Sequence, residues 1–385
     1  MHRFHTAPLP TTAACFALLI AGGTLSAQQE DQPRVFDNYP PPVAAHLTHI
    51  YSDGQQEYSW RDDYPGGFEQ WQKEARAKLM ELLGLPKIAA QNEGHRPEVT
   101  LGETEDLGDF TRRRCTIETE ADVVIPFWLL VPKGDGPFPV GIFPHGHDSH
   151  GHDTTAGVFR DEEHRRHSLE EDRDVAVQAV RRGYLAIAPA TRGIAVDGVP
   201  DLRDRHGGRY CRSHVIHCLL AGRTAIGERV WDMQRLLDWA LARDDVDKSR
   251  VLMMGNSGGG MVTLYAAACE PRITVAVPSC SFSTVTSPKG YVYHCDCNLV
   301  PGILAWGDLY DVAGLTAPRF FLAVNGRHDG LHSPEDIERS AARAKAIFAA
   351  AGCPERFDHR WGEEGHRFYA DLMWPFIDEA MKQQR

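Results

Sequence analysis

The chain has 385 residues, a formal net charge of −12, 42% hydrophobic and 24% charged residues. That is an ordinary globular composition, long enough for one large core or two modest ones. An acidic chain with no compensating basic block makes a poor tracker of phosphate backbones, so nucleic-acid binding is set aside.

Residues 1–27 read as a secretory signal peptide. "MHRFH" carries one Arg and two His, "ACFALLIAGG" is a short apolar core, and small residues offer cleavage near Ser26 or Ala27. The apolar run is too short to span a bilayer comfortably, so no stable membrane insertion is expected. The mature protein is expected to be secreted or periplasmic. Losing Cys15 with the signal leaves eight of nine cysteines. An oxidising compartment permits disulfides among them, and sequence does not give the pairing.

Residues 28–108 read as an N-terminal extension: a polar, proline-rich lead-in, then one amphipathic helix. In "GFEQWQKEARAKLMELLGLP", Phe68, Trp71, Ala75, Leu79 and Leu82 recur at helical spacing, and Gly84 and Pro86 close the helix. Residues 109–385 then read as one catalytic domain. "FTRRRCTIET" and "VVIPFWLLVP" form a predicted hairpin. Apolar strands follow in "FPVGIFPHG", "LAIAPA", "RVLMMG", "ITVAVPS", "RFFLAVNG" and "RFDHRWG", mostly separated by amphipathic helices. Alternation of apolar strands and helices predicts an α/β fold: a mostly parallel central sheet covered on both faces, with an antiparallel edge hairpin. A stretch at about 280–317, rich in Tyr, Trp, Gly and Cys, interrupts the pattern and reads as a functional insertion.

"VLMMGNSGGGM" fits G-x-S-x-G, with an apolar strand before it and a helix after it. Ser257 then sits on a sharp turn where side chains at Gly255 and Gly259 would collide with their surroundings. A serine hydroxyl needs a base, and on this architecture the partners follow in the order Ser, acid, His. Asp329 follows the next-to-last strand, and His366 follows the last one. His332 competes for the base, and Asp308 and Asp311 for the acid, but neither aspartate stands at a strand end.

These residues resemble the α/β-hydrolase superfamily, most closely its dienelactone-hydrolase-like and acetyl-xylan-esterase-like secreted bacterial members. The resemblance covers about Phe110 to the C-terminus and rests on "PHGH", "RRGYLAIAPATRG", "GRTAIGERVWDMQRLLDW", "VDKSRVLMMGNSGGGM", "HCDCNLVPGI", "LTAPRFFLAVNGRHD" and "GHRF". It implies carboxyl-ester hydrolysis through Ser257, Asp329 and His366, with a polysaccharide or small-molecule ester as substrate. In that fold the loop holding "PHGH" gives a backbone N–H to the oxyanion hole, which names His147 beside Gly258.

"FPHGHDSHGHDT" packs His145, His147, His150, His152, Asp148 and Asp153 together, with Glu163, His164 and His167 farther on. It matches no standard zincin spacing, so no metal is assigned, although a metal-dependent deacetylase stays an alternative. "HCDCN", with His294, Cys295, Cys297 and Asn298, reads as a braced loop wall, a disulfide anchor or a zinc site. Its two thiols are too few for a structural zinc unless histidines join. Arg192, Tyr293 and Trp306 are candidate substrate contacts, with an orienting salt bridge as the other reading of Arg192 and core packing as that of the aromatics. Trp231 and Asp232 read as anchors of the long helix. The expected protein is a serine esterase that needs no cofactor. A serine peptidase of related fold and a non-catalytic polysaccharide-binding relative are the remaining alternatives.

Overall fold

In the computed structural model nine strands among the described residues form a single sheet: β1 Val99–Asp106, β2 Phe110–Glu120, β3 Val123–Pro132, β4 Phe138–Ile142, β5 Leu185–Pro189, β6 Val246–Asn256, β7 Val275–Ser279, β8 Phe320–Gly326 and β9 Phe357–Gly362. The structure describes residues 39–51, 56–205, 207, 210–287 and 292–384. The signal-peptide reading of residues 1–27, Cys15 included, lies outside them.

The strand order is β1-β2-β3-β5-β4-β6-β7-β8-β9. The β1-β2-β3-β5 pairings are antiparallel, and every pairing from β5 through β4 to β9 is parallel. Successive residues face opposite sides, as a pleated strand requires. In β6, Val251 and Met253 join one core while Leu252 and Met254 join the other. Leu185 and Ile187 of β5 are likewise separated from Ala186 and Ala188. Strands apolar on both faces therefore need helices on both faces.

Thirteen helices are described. They are α1 Pro41–Ile50, α2 Gly67–Leu83, α3 Leu85–Gln91, α4 Gly151–Thr155, α5 Glu162–Glu170, α6 Val175–Arg181, α7 Tyr210–Leu220, α8 Ala225–Leu241, α9 Gly258–Cys269, α10 Ile303–Trp306, α11 Leu309–Gly314, α12 Pro334–Ala350 and α13 Ala370–Lys382. Buried side chains of α2, α3, α8, α9, α11 and α12 share one core, and those of α6 and α13 share the other.

The region 28–108 holds more than one helix. Its described part contains α1, α2, α3 and the edge strand β1. β1 escaped the sequence pattern because it is nearly all exposed and rich in charge, the form that keeps a sheet edge from pairing with another chain. Pro42–Arg385 gather into one compact unit. In the insertion, α10 packs beneath α2 and α11 packs against α9 and α12: Trp306 of α10 is 2% exposed and its indole N–H donates to the Ala75 carbonyl at 2.9 Å. Among the described residues no helix is long and apolar enough to cross a membrane.

Candidate active site

β4 pairs with β5 on one side and β6 on the other. The chain leaves β4 toward one side and later returns to the other, so the loops after β4 and β6 open a crevice at their carboxyl ends. Ser257 is the first residue beyond β6 and the N-cap of α9, with φ 57° and ψ −121°. That positive φ is strained for a residue with a side chain. Its N–H donates to the Ser279 carbonyl at 2.9 Å, tying the turn to the end of β7. The neighbouring glycines are obligatory. A Cβ on Gly259 would stand 2.1 Å from the Pro144 carbonyl oxygen, and one on Gly255 would stand 2.4 Å from backbone atoms of Gly259.

The loop after β4 closes on this turn. A Cβ on Gly146 would come within 3.1 Å of the Ser257 Cβ and 3.2 Å of the Gly258 nitrogen. Among the described residues, the backbone N–H groups of His147 and Gly258 donate to no other group.

Asp329 and His366 come from the loops after β8 and β9. Those loops are laced together: His328 N–H donates to the Glu364 carbonyl at 3.0 Å and Arg327 N–H to the Gly362 carbonyl at 2.8 Å. His366 Nδ1 and Asp329 Oδ2 lie 2.7 Å apart in a hydrogen bond. The carboxyl side chain is 6% exposed and the imidazole 31%, so the acid is sheltered while the ring can meet an incoming molecule. Asn256 bridges to this loop, its amide donating to the Arg367 carbonyl at 3.1 Å. Sequence reasoning did not single out Asn256; it fills a variable position of the motif. Among the described residues the Ser257 hydroxyl has no hydrogen bond to His366, a contact that often tightens only when substrate is present.

The rivals are accounted for elsewhere. His332 is buried against His294, with ring centroids 4.8 Å apart, and burial drives its pKa far down. Asp308 and Asp311 form a capping box at the start of α11, and Asp311 accepts from Ser59 and the Trp60 N–H at 2.9 Å each. Cys280 lies within ligand distance of Asp329 and His366, but burial pushes its thiol up to about 12, so it stays protonated.

The histidine-rich loop is dispersed. His145 Nε2 accepts from the Thr191 N–H at 2.9 Å, and burial pushes its pKa down to about 3. His152 is buried beside Asp153, 3.4 Å away, while His150 is exposed next to Ser149. Among the described residues, only His147 of that loop joins a group of metal-ligand type, and its partners are thiols from other segments.

Two of the three candidate substrate contacts are corrected. Arg192 is 3% exposed and its guanidinium is held by Asp232, Glu120 and Glu228, so it braces β5 against α8. Trp306 is sealed under α2. Tyr293 is partly buried and its hydroxyl donates to Asp336 at 2.7 Å. An open groove of about 480 Å³ runs along His147, Gly193, Ile194, Tyr210, Cys211 and Cys295. A larger cavity of about 610 Å³ has Ser59, Trp60, Asp308 and Arg343 in its wall; neither wall includes Ser257, Asp329 or His366, but the groove is bordered by His147, whose loop closes on the Ser257 turn.

The switch at β4, the parallel β4–β9 array and the strained strand-to-helix turn after β6 make this an α/β-hydrolase fold. Within that class the chain belongs to the family described as X-Pro dipeptidyl-peptidase (S15 family), whose family model matches residues 120–329, more than half the chain. A curated relative, YtaP of Bacillus subtilis (strain 168), which its name gives as a hydrolase, is 27% identical over 151 residues. That match covers 38% of this chain and 50% of the relative, so the chain spans about half the length of that protein. Among solved structures, one named as an acetyl xylan esterase from Bacteroides fragilis aligns with TM-score 0.68 and 16% identity, over 89% of this chain and 96% of that one. A glucuronoyl esterase from Solibacter usitatus aligns with TM-score 0.60 and 18% identity, over 82% and 93%. At these identities the likeness shows the fold.

Proposed function

We propose that the protein is a secreted serine carboxyl-ester hydrolase that deacetylates a carbohydrate. The hydrogen bond between His366 and Asp329, facing the same end of the sheet as the strained Ser257, carries this reading. His366 Nε2 takes the proton of Ser257, and the hydroxyl oxygen attacks the ester carbonyl. Asp329 holds the tautomer with the proton on Nδ1 and stabilises the imidazolium that forms. The N–H groups of His147 and Gly258 stabilise the negative carbonyl oxygen of the tetrahedral intermediate, each strong donor lowering the barrier by about 2.7–4 kcal/mol. The imidazolium then protonates the leaving alcohol. Water, deprotonated by the same His366, releases acetate from the acyl-enzyme. Each step uses only this chain's own residues and water.

The carbohydrate part rests on the groove beside His147, open enough for a sugar ring, and on the company of the solved relatives. The test is a fluorophosphonate or sulfonyl-fluoride label followed by peptide mapping. Label confined to Ser257, lost in Ser257→Ala together with acetate-ester turnover, is the expected outcome. Label on another serine, or turnover that persists in Ser257→Ala, overturns it. Membership of the X-Pro dipeptidyl-peptidase (S15) family supports a second reading, cleavage of X-Pro peptides. An X-Pro anilide assayed beside acetylated xylan and a glucuronoyl ester separates the two, and faster turnover of the anilide would replace the esterase reading.

A further inference from the structure

Three segments far apart in the chain bring their soft ligand atoms together beside the nucleophile turn. They are His147 from the loop after β4, Cys211 from the first turn of α7, and Cys295 and Cys297 from the insertion. One ligand atom from each lies within 4.8 Å of all the others. His147 Nε2 is 3.1 Å from the Cys297 sulfur. The Cys295 sulfur is 3.9 Å from that of Cys211 and 3.9 Å from that of Cys297. We propose that His147, Cys211, Cys295 and Cys297 form a structural zinc site.

The size of the cluster decides the point. In a tetrahedral zinc centre with Zn–S bonds of about 2.3 Å, the sulfurs stand about 3.8 Å apart. The two measured separations match that edge. A disulfide would unite two sulfurs and leave the third thiol and the imidazole with no reason to converge; here three thiols and one imidazole do. The donor set, three thiolates and one histidine, is a standard zinc complement. Charge agrees as well. Three thiolates around a divalent cation leave one net negative charge, and the buried Arg229 guanidinium lies 3.2 Å from the Cys297 sulfur. Binding releases the three thiol protons and needs no redox partner.

Four protein ligands close the coordination sphere, which marks a structural ion and not a water-activating one. What it fixes is local. The His147 ring lies between the thiols and the nucleophile turn, its Nδ1 3.3 Å from where a Cβ on Gly258 would be. The ion would pin the loop after β4 to α7 and to the insertion. If the reading of His147 as an oxyanion-hole donor is right, zinc is a positioning element for that N–H. The metal site itself stands without that reading.

The test uses the full chain, purified reduced and without chelator. Elemental analysis is expected to find stoichiometric zinc. Cobalt substitution is expected to give the ligand-field and thiolate charge-transfer bands of a tetrahedral thiolate site. Both are expected to vanish in Cys211→Ser and in Cys297→Ser and to persist in Ser257→Ala. Because a cysteine variant can fail to fold, wild-type protein stripped by chelator and shown folded by circular dichroism is reloaded with cobalt alone, and the bands are expected to return. Reduced protein that takes up neither zinc nor cobalt, or a mapped Cys211–Cys295 disulfide in the protein as secreted, overturns the site. Stripping is also expected to lower kcat for a small acetate ester with KM unchanged. An unchanged kcat in verified apo protein overturns the positioning role. Zinc bound without label at Ser257 would sink the hydrolase reading alone, and label without zinc would sink this one alone.

Discussion

At Ser257 the backbone is held where side chains rarely go, and the surrounding contacts show what holds it. Its N–H is bound to Ser279, the Asn256 amide is bound to the Arg367 carbonyl, and the glycines at 255 and 259 leave room for Pro144. A methyl group at Gly259 has nowhere to go, because the atom it meets is backbone. Gly259→Ala is expected to cost about 4 kcal/mol or more, the range of severe strain, and to abolish turnover, read by urea unfolding and an acetate-ester assay. The acid can be tested more gently. Asp329→Asn keeps the shape but allows the wrong imidazole tautomer, so kcat is expected to fall roughly ten-thousandfold with little change in unfolding free energy. A fall of only a few fold would mean that another carboxylate orients His366.

Secondary elements explain what the sequence exposes and what it conceals. β6 and β8 are legible because buried parallel strands are apolar runs, and the candidate residues Ser257 and Asp329 are read from the ends of those runs; His366 is read from its place after the final, half-buried strand β9, and the loop after β4 from the family resemblance. The amphipathic stripe of α2 was equally plain: Trp71, Ala75 and Leu79 are fully buried. What could not be read were pieces stabilised by tertiary contact. α7, "YCRSHVIHCLL", has almost no amphipathic pattern, yet it carries Cys211 to the thiol cluster. Asp308 and Asp311 looked like candidate acids, and only the fold shows them receiving hydrogen bonds from backbone N–H groups on α11 and, at Asp311, on the extension as well. Two predictions belong here. Trp71→Ala removes a buried indole whose N–H donates to Tyr58 at 2.7 Å, and is expected to cost about 3–5 kcal/mol, measured by urea unfolding. A loss below about 1 kcal/mol would mean that the extension is an appendage. Arg192→Met leaves Asp232 without its buried cation and Glu120 with Arg223 alone, and is expected to destabilise by about 3–5 kcal/mol. KM of the folded fraction is expected to hold, since the guanidinium faces the β5–α8 packing and not the groove.

Across the whole molecule, buried carboxylates pull stability in opposite directions with pH. Burial opposes the charge on Glu228, but His214, Arg192 and Arg223 outweigh it and bring its pKa from 4.5 down to about 2. The unfolded chain therefore binds this proton first, and Glu228 contributes stability that is complete above 4.5 and lost as pH falls toward 2. That contribution is about 3 kcal/mol. Asp308 and Asp311 are the reverse case. Burial is the main cause and raises them from 3.8 to about 7 and about 6, despite the N–H groups they accept. The folded state keeps their protons longer, so their contribution is full below 3.8 and is lost as pH rises through 6 and 7. The gain from Glu228 ends near 4.5, whereas the two aspartates begin to lose theirs above 3.8, so the native state is expected to be most stable at about pH 4. Urea midpoints measured from pH 3 to pH 8 should rise and then fall, with m-values constant. Asp308→Asn should flatten the alkaline limb, and Glu228→Gln should flatten the acidic one. A wild-type midpoint that climbs steadily to pH 8 would show that the backbone N–H groups around Asp308 and Asp311 outweigh burial and keep both ionised.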